Sequence, residues 1–89
     1  MLLHDYSEEA EKDFLKLESQ LQSYFKKHVE KLCSMPPRRH MRKGLRYYVE
    51  EVTKQARLVY DLVDGGSVLF VVRCFALHKE YEKWCKSFK

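Results

Sequence analysis

The sequence predicts an α+β fold, in which an N-terminal helical hairpin packs on a small antiparallel sheet and a third helix ends the chain. Three observations predict it. Apolar residues recur at helical spacing up to Leu32, shortly before two prolines. Two runs rich in Val, Leu, Phe and Tyr flank the turn signal Asp64-Gly65-Gly66-Ser67, which is typical of an antiparallel hairpin. Helical spacing returns from Leu77 onwards. We expect the helices to lie on one face of the sheet.

Composition limits the chain to one domain. Its 89 residues, 45% hydrophobic and 13% aromatic, can bury one core but not two, so we expect a single domain over residues 1–89. The three cysteines form no CxxC pair, so we expect a reducing compartment and neither disulfides nor a metal site. The N-terminus lacks the features of a signal peptide, and no segment reaches membrane-spanning length. A cytoplasmic protein without a membrane partner is therefore expected.

Two helices are predicted before the prolines. The first begins after Ser7, whose hydroxyl can cap it, and the two glutamates that follow are favoured by the helix dipole. Ser19 and Gln22 fit a capping box, which predicts that the helical pattern bends there into a hairpin. Pro36 and Pro37 end the second helix because neither can donate a backbone hydrogen bond. The two apolar stripes are Ala10, Phe14, Leu17 and Leu21, and Leu21, Tyr24, Phe25, His28, Val29 and Leu32.

The predicted strands are a short one at residues 2–5 and three antiparallel ones at residues 45–52, 56–63 and 68–75. A turn at Thr53-Lys54-Gln55 joins the first two of the three. Alternation places Arg57 and Leu58 on opposite faces, so Arg57 points outward if the helices cover the Leu58 face. The predicted core consists of Phe14, Leu17, Phe25, Val29, Leu58, Tyr60 and Phe70.

The positive charge is concentrated in one segment. The formal net charge is +4, and residues 36–46 contain five basic and no acidic residues. These are Arg38, Arg39, Arg42, Lys43 and Arg46. A solvated surface loop explains such a cluster, and so does contact with a nucleic-acid phosphate backbone.

The chain resembles the RelE/ParE superfamily of toxins from type II toxin–antitoxin systems. The resemblance rests on the helical hairpin, the proline-marked segment with Lys43-Gly44-Leu45, the run Arg57-Leu58-Val59-Tyr60 before an Asp-Gly turn, and the C-terminal segment with a histidine and aromatics. The RelE and YoeB branch is the most similar.

The resemblance implies a cognate antitoxin as partner. It also implies cleavage of mRNA on the ribosome without a metal or other cofactor. ParE-like members act on DNA gyrase instead, so the alternatives are a non-catalytic gyrase-binding toxin and a degenerate member that binds only antitoxin.

Arg57 is an active-site residue according to this resemblance. RNA cleavage through the 2′-hydroxyl needs a base, an acid and cations that stabilise charge on the phosphate. A guanidinium suits the last role because it stays protonated and offers a planar fork of donors. The alternative is an ordinary surface arginine. In the catalytic interpretation, Arg57→Ala preserves the fold and lowers cleavage by a factor on the order of 10² to 10³.

Glu50 is the candidate general base. It shares a face with Tyr48 and Arg57 if the strand register matches that of the family, although RelE carries lysines in place of Tyr48 and Glu50. The alternative is a solvated cross-strand partner of Arg57 or Lys54. A slip of one residue would bring Glu51 to that face instead.

His78 is the candidate acid or base of the C-terminal third, because histidine has an unperturbed pKa of about 6.5. Capping of the terminal helix is the alternative. Lys54, Lys79 and Tyr81 complete the expected RNA-binding set, whereas Trp84 is expected to pack in the core.

Overall fold

Three helices and a four-stranded sheet make up the described part of the chain. The computed structural model describes residues 2–34 and 47–87. The elements in chain order are β1 (Leu3–Tyr6), α1 (Glu8–Lys16), α2 (Ser19–Ser34), β2 (Tyr48–Glu51), β3 (Arg57–Val63), β4 (Val68–Phe75) and α3 (His78–Lys86). The predicted α+β class is confirmed. The basic segment of residues 36–46 lies outside the described residues.

The sheet is mixed, with strand order β1-β4-β3-β2. The β2–β3 and β3–β4 pairs are antiparallel, as predicted. β1 pairs with β4 in parallel, from Leu3 opposite Val68 to Tyr6 opposite Val71. The sequence gives no direction for this short N-terminal strand, and its parallel pairing makes the sheet mixed. A parallel pair needs a long crossover connection, and the two helices with β2 and β3 supply one.

The β3–β4 turn has the backbone geometry that its residue types predict. Asp64, Gly65 and Gly66 have φ angles of 53°, 70° and 90°. Glycine adopts such angles at little cost, and aspartate tolerates them better than most residues. The hydroxyl of Ser67 donates to the carbonyl oxygen of Asp64 at 2.8 Å and closes the turn.

Ser7 caps α1 as predicted. Its hydroxyl oxygen accepts from the amide of Ala10 at 2.9 Å and donates to the carbonyl oxygen of Val72 at 2.8 Å. The helix start is therefore attached to β4.

The break between α1 and α2 is confirmed, but the predicted capping box is wrong. α2 already includes Ser19, so Glu18 is the residue that precedes the helix. The side-chain amide of Gln22 donates to the carbonyl oxygen of Phe14 at 2.9 Å. The amide of Leu17 donates to the same oxygen at 3.1 Å, so Gln22 helps to end α1 rather than to start α2.

The main core lies between the sheet and the first two helices. Of the predicted core, Leu17, Phe25, Val29, Leu58 and Tyr60 are buried there, and Phe14 is half-buried at its margin. Phe70 is not part of this core. It lies opposite Asp61 rather than Leu62, and so belongs to the other face of the sheet.

A second apolar cluster covers part of that other face. It is built from Val59, Phe75 and Tyr81, with Val72 and Trp84 at its margin. Because α3 supplies two of these side chains, helices lie on both faces, and the expectation of one covered face is wrong. Val59 and Phe75 are apolar and therefore need cover on this side as well.

Candidate functional site

Arg57 is buried, contrary to the expectation that it points outward. It begins β3, and only 8% of its side chain is exposed. Its Nη1 donates to the carbonyl oxygens of Thr53 at 3.0 Å, Lys54 at 3.0 Å and Ala56 at 3.1 Å. Its Nη2 lies 3.5 Å from Oε1 of Glu51. The guanidinium turns inward because the preceding turn offers it several carbonyl acceptors.

The register of β2 brings Glu51, not Glu50, to Arg57. Glu51 is the direct cross-strand partner of Arg57. Glu50 faces α2, where its Oε2 lies 2.7 Å from Nδ1 of His28 and 2.9 Å from Nζ of Lys31. The expectation that Glu50 shares the Arg57 face is wrong, and the alternative slip of one residue is the observed arrangement. Since successive side chains of a strand point to opposite faces, a shift of one residue in the register exchanges the faces on which Glu50 and Glu51 lie.

Tyr48 also lies away from Arg57. Its ring stacks on that of Tyr60, with ring centroids 5.4 Å apart. Burial raises the pKa of the Tyr60 phenol, and the nearby Glu50 and Tyr48 raise it further. This phenol therefore stays neutral, and the surroundings of Glu50 are those of a packed helix–sheet contact.

His78 lies beside the same turn as Arg57. It is the first residue of α3, and its backbone amide donates to Oε1 of Gln55 at 3.4 Å. Its Nδ1 lies 3.4 Å from Oε1 of Glu82, one helical turn further on. His78 does not cap α3, because Leu77 holds that position. The backbone of His78 thus contacts the turn whose carbonyl oxygens bind Arg57.

The other candidate RNA contacts differ in exposure. Lys54 and Lys79 are exposed. Tyr81 is buried, with its ring 6.2 Å from that of Phe75, so stacking on an RNA base would require it to leave the core. Trp84 is half-buried and lies 5.7 Å from the same ring, which agrees with its predicted packing role.

A groove of about 560 Å³ follows the sheet face that α3 leaves uncovered. Its lining includes Tyr47, Phe70 and Trp84 together with the charged Asp61, Glu9 and Arg73. The described part of this groove is thus mainly apolar, with charges of both signs. Such a lining is typical of protein contacts rather than of phosphate binding.

One ion pair was not signalled by the sequence pattern. Arg73 donates from Nε to Oδ2 of Asp13 at 2.6 Å and from Nη2 to Oδ1 at 3.1 Å. The hydrogen bond to Asp13 raises the pKa of Arg73 above the usual value for arginine. The amide of Cys74 donates to Oδ2 of Asp13 at 3.1 Å. Helical spacing assigns Asp13 no partner, so only the fold reveals this link.

Neither a metal-binding cluster nor a membrane-spanning helix is found among the described residues. Residues 2–34 and 47–87 contain no group of three or more His, Cys, Asp or Glu side chains that could hold a metal ion. No helix in these ranges is both long and apolar enough to cross a membrane.

The comparisons with known proteins identify the fold. No protein-family model and no curated protein matches the chain. The isolated E. coli RelE toxin is similar over 100% of both chains, with a TM-score of 0.75 and 23% identity. A chain of the intact E. coli RelBE toxin–antitoxin complex has a TM-score of 0.73 and 26% identity, over 83% of this chain and 94% of that chain.

A more distant match extends this group. The YoeB/ParE toxin from Agrobacterium tumefaciens has a TM-score of 0.70 and 13% identity, over 82% of this chain and 95% of that chain. The chain shares one fold with all three structures.

Proposed function

Because these similarities support a RelE/ParE superfamily toxin, we propose that the protein is the toxin of a type II toxin–antitoxin system and cleaves mRNA on the ribosome. The observation that carries the proposal is the similarity to isolated RelE over the whole length of both chains. The structures of RelE with RelB, and of a RelE mutant with an antitoxin peptide, support a cognate antitoxin as partner.

The proposed chemistry centres on the turn between β2 and β3. Arg57 stabilises negative charge on the scissile phosphate, and His78 transfers a proton at the attacking or leaving oxygen. Glu82 orients the imidazole through Nδ1, which leaves Nε2 for proton transfer. The exposed Lys54 and Lys79 contact neighbouring phosphates.

Glu50 and the basic segment of residues 36–46 were also expected at the RNA-binding site. Glu50 is left out of the proposed catalytic set, because His28 and Lys31 already engage its carboxylate. The basic residues of the segment 36–46 stay a prediction as RNA contacts.

The proposal is tested by inducible expression and primer extension on a translated mRNA. Wild-type protein is expected to produce cleavage that requires translation. His78→Ala should lower the cleavage rate by roughly 10²-fold, the scale for loss of a general acid or base. Lys86→Ala, an exposed substitution on the same helix, is the control and should cleave as wild type does. An absence of cleavage by folded wild-type protein would reject the ribonuclease proposal.

The burial of Arg57 favours a second candidate function. A guanidinium that is engaged by three carbonyls and one carboxylate is a structural group in the free protein. This suits a non-catalytic toxin of the ParE type, which binds DNA gyrase, or a member that binds only antitoxin. Inhibition of DNA supercoiling by gyrase without mRNA cleavage would support the first. Antitoxin binding without either activity would support the second.

A further inference from the structure

The turn between β2 and β3 is held together by several hydrogen bonds of its own. Oγ1 of Thr53 accepts from the backbone amides of Gln55 at 3.2 Å and Ala56 at 2.9 Å. Nη1 of Arg57 donates to the carbonyl oxygens of Thr53 and Lys54, both at 3.0 Å. The backbone of Gln55 therefore has a defined position relative to Arg57.

The side chain of Gln55 joins this turn to α3. Its Oε1 accepts from the backbone amide of His78 at 3.4 Å, which is a long hydrogen bond. The first amides of a helix have no partner in the helix backbone and need another acceptor. The amide of Leu77 donates to Oε1 of Glu80 at 3.1 Å, within α3 itself. The amide of His78 donates instead to a residue of the neighbouring turn.

The imidazole of His78 is oriented by contacts within α3. Its Nδ1 lies 3.4 Å from Oε1 of Glu82, and its ring centroid lies 5.9 Å from that of the buried Tyr81. Because both partners belong to α3, these contacts place the ring relative to the helix but not relative to Arg57. The bond from Gln55 adds that second relation, since it attaches the first residue of the helix to the turn that binds Arg57.

We propose that Gln55 is a positioning residue, which holds the start of α3, and with it the imidazole of His78, in a fixed position relative to Arg57. The inference rests on the proposed function, because it requires both side chains to act on one phosphodiester group. A misplacement of about 1 Å can slow a reaction by roughly 10²-fold, so even a weak bond at this place affects the rate of cleavage. Gln55 itself contacts no reacting atom in this scheme.

The first test uses Gln55→Met, which keeps an unbranched side chain of similar length and removes its amide oxygen. Cleavage of a short mRNA on purified ribosomes is measured in single turnovers over a range of protein concentrations. Gln55→Met should lower the rate constant at saturation about three- to tenfold, the range that corresponds to one neutral hydrogen bond, and leave the half-saturating concentration unchanged. Gln20→Met, an exposed glutamine of α2, is the matched control and should cleave as wild type does.

Gln55→Glu tests the acceptor itself. A carboxylate retains an oxygen for the amide of His78 and is favoured at the N-terminus of a helix. The rate constant at saturation should therefore stay close to that of the wild type, while the added negative charge raises the half-saturating concentration. A rate constant as low as that of Gln55→Met would overturn the proposal.

A double-mutant cycle with His78→Ala distinguishes positioning from a merely structural role. His78→Ala keeps the backbone amide that Gln55 binds but removes the imidazole. If Gln55 acts through the imidazole, Gln55→Met should change the residual rate in the His78→Ala background by less than about twofold. An equal loss of rate in both backgrounds would overturn the proposal.

Failure of this inference and failure of the proposed function can be distinguished. Solvent exchange of the His78 backbone amide, measured by NMR, requires no activity and should be faster in Gln55→Met than in the wild type. Faster exchange in a protein that does not cleave mRNA keeps the link between the turn and α3 and rejects the ribonuclease. Cleavage by the wild type at a rate that Gln55→Met does not change keeps the ribonuclease and rejects the role of Gln55.

Discussion

A buried guanidinium is tolerated only where its charge and its donors are engaged. Arg57 meets this condition mainly through Nη1, which donates to the backbone of the turn that precedes it and so links that turn to the start of β3. The same residue therefore contributes to stability whether or not it also contacts RNA. Loss of activity in an Arg57 variant is informative only if the variant is folded.

We predict that Arg57→Ala lowers the free energy of unfolding by roughly 2 kcal/mol, the scale for hydrogen bonds that involve a charged group. The turn carbonyls lose their shared donor, and Glu51 loses its counter-charge. This replaces the expectation that the variant preserves the fold without cost. Denaturant unfolding measures the effect. Lys54→Ala, an exposed side chain in the same turn, should change the free energy by less than about 0.5 kcal/mol. Equal values for both variants would contradict the structural role of Arg57.

Among the elements, α1 follows β1 along the edge of β4 and binds the backbone groups of β4 that β1 does not reach. Strand pairing ends with Tyr6 opposite Val71. Beyond that point, Ser7 bonds the carbonyl oxygen of Val72, and Asp13 accepts from the amide of Cys74. Backbone groups that would otherwise lie unpaired at a sheet edge are satisfied by the helix. Asp13 is thus a link between α1 and β4.

We predict that Asp13→Asn lowers the free energy of unfolding by roughly 2 kcal/mol, because it removes the charge from a half-buried bidentate pair. Lys12→Ala is the control. It removes an exposed pair with Glu8 at 3.9 Å on the same helix, and should cost less than about 0.5 kcal/mol. Urea unfolding of both variants gives the comparison. A loss for Asp13→Asn no larger than that for Lys12→Ala would show that the link does not stabilise the fold.

For the whole molecule, the larger core contains acidic groups that burial keeps protonated. The pKa of the Cys74 thiol is raised to about 12 from its ordinary 9.0, chiefly by burial and also by the nearby Asp13. Burial likewise raises the pKa of Tyr6 to about 12 from 10.0. The pKa of Cys33 is raised in the same direction for the same reason. Ionisation of these groups at alkaline pH is therefore less favourable in the folded protein than in the unfolded chain.

We predict that the free energy of unfolding falls as pH rises from about 9 towards 12. In this window the unfolded chain releases protons that the folded chain retains, so ionisation favours unfolding. The stabilisation is fully present below the pKa that each group has in the unfolded chain. It is lost as pH rises through the higher pKa that the group has in the folded protein. Cys74→Ala and Tyr6→Phe should each flatten the slope, as measured by denaturant unfolding at a series of pH values. A slope unchanged in both variants would contradict the assignment to these groups.

Features that depend on near neighbours along the chain follow directly from the amino-acid sequence. The cap at Ser7, the break between α1 and α2, and the β3–β4 hairpin each follow from local hydrogen bonds, local periodicity or permitted φ angles. The Arg57-Leu58-Val59-Tyr60 run also indicated the superfamily whose fold the comparisons support. These features were predictable because they require no knowledge of distant contacts.

The surroundings of Arg57, in contrast, depend on contacts that form only in the folded protein. The turn before β3 set a register in which Glu51 replaces Glu50, and no local pattern distinguishes two consecutive glutamates. The inward guanidinium depends on carbonyls that converge only when the turn is folded. The link from Asp13 to Arg73 joins residues 60 positions apart. Sequence periodicity indicates which face a side chain occupies, but its partners depend on the register and on long-range packing.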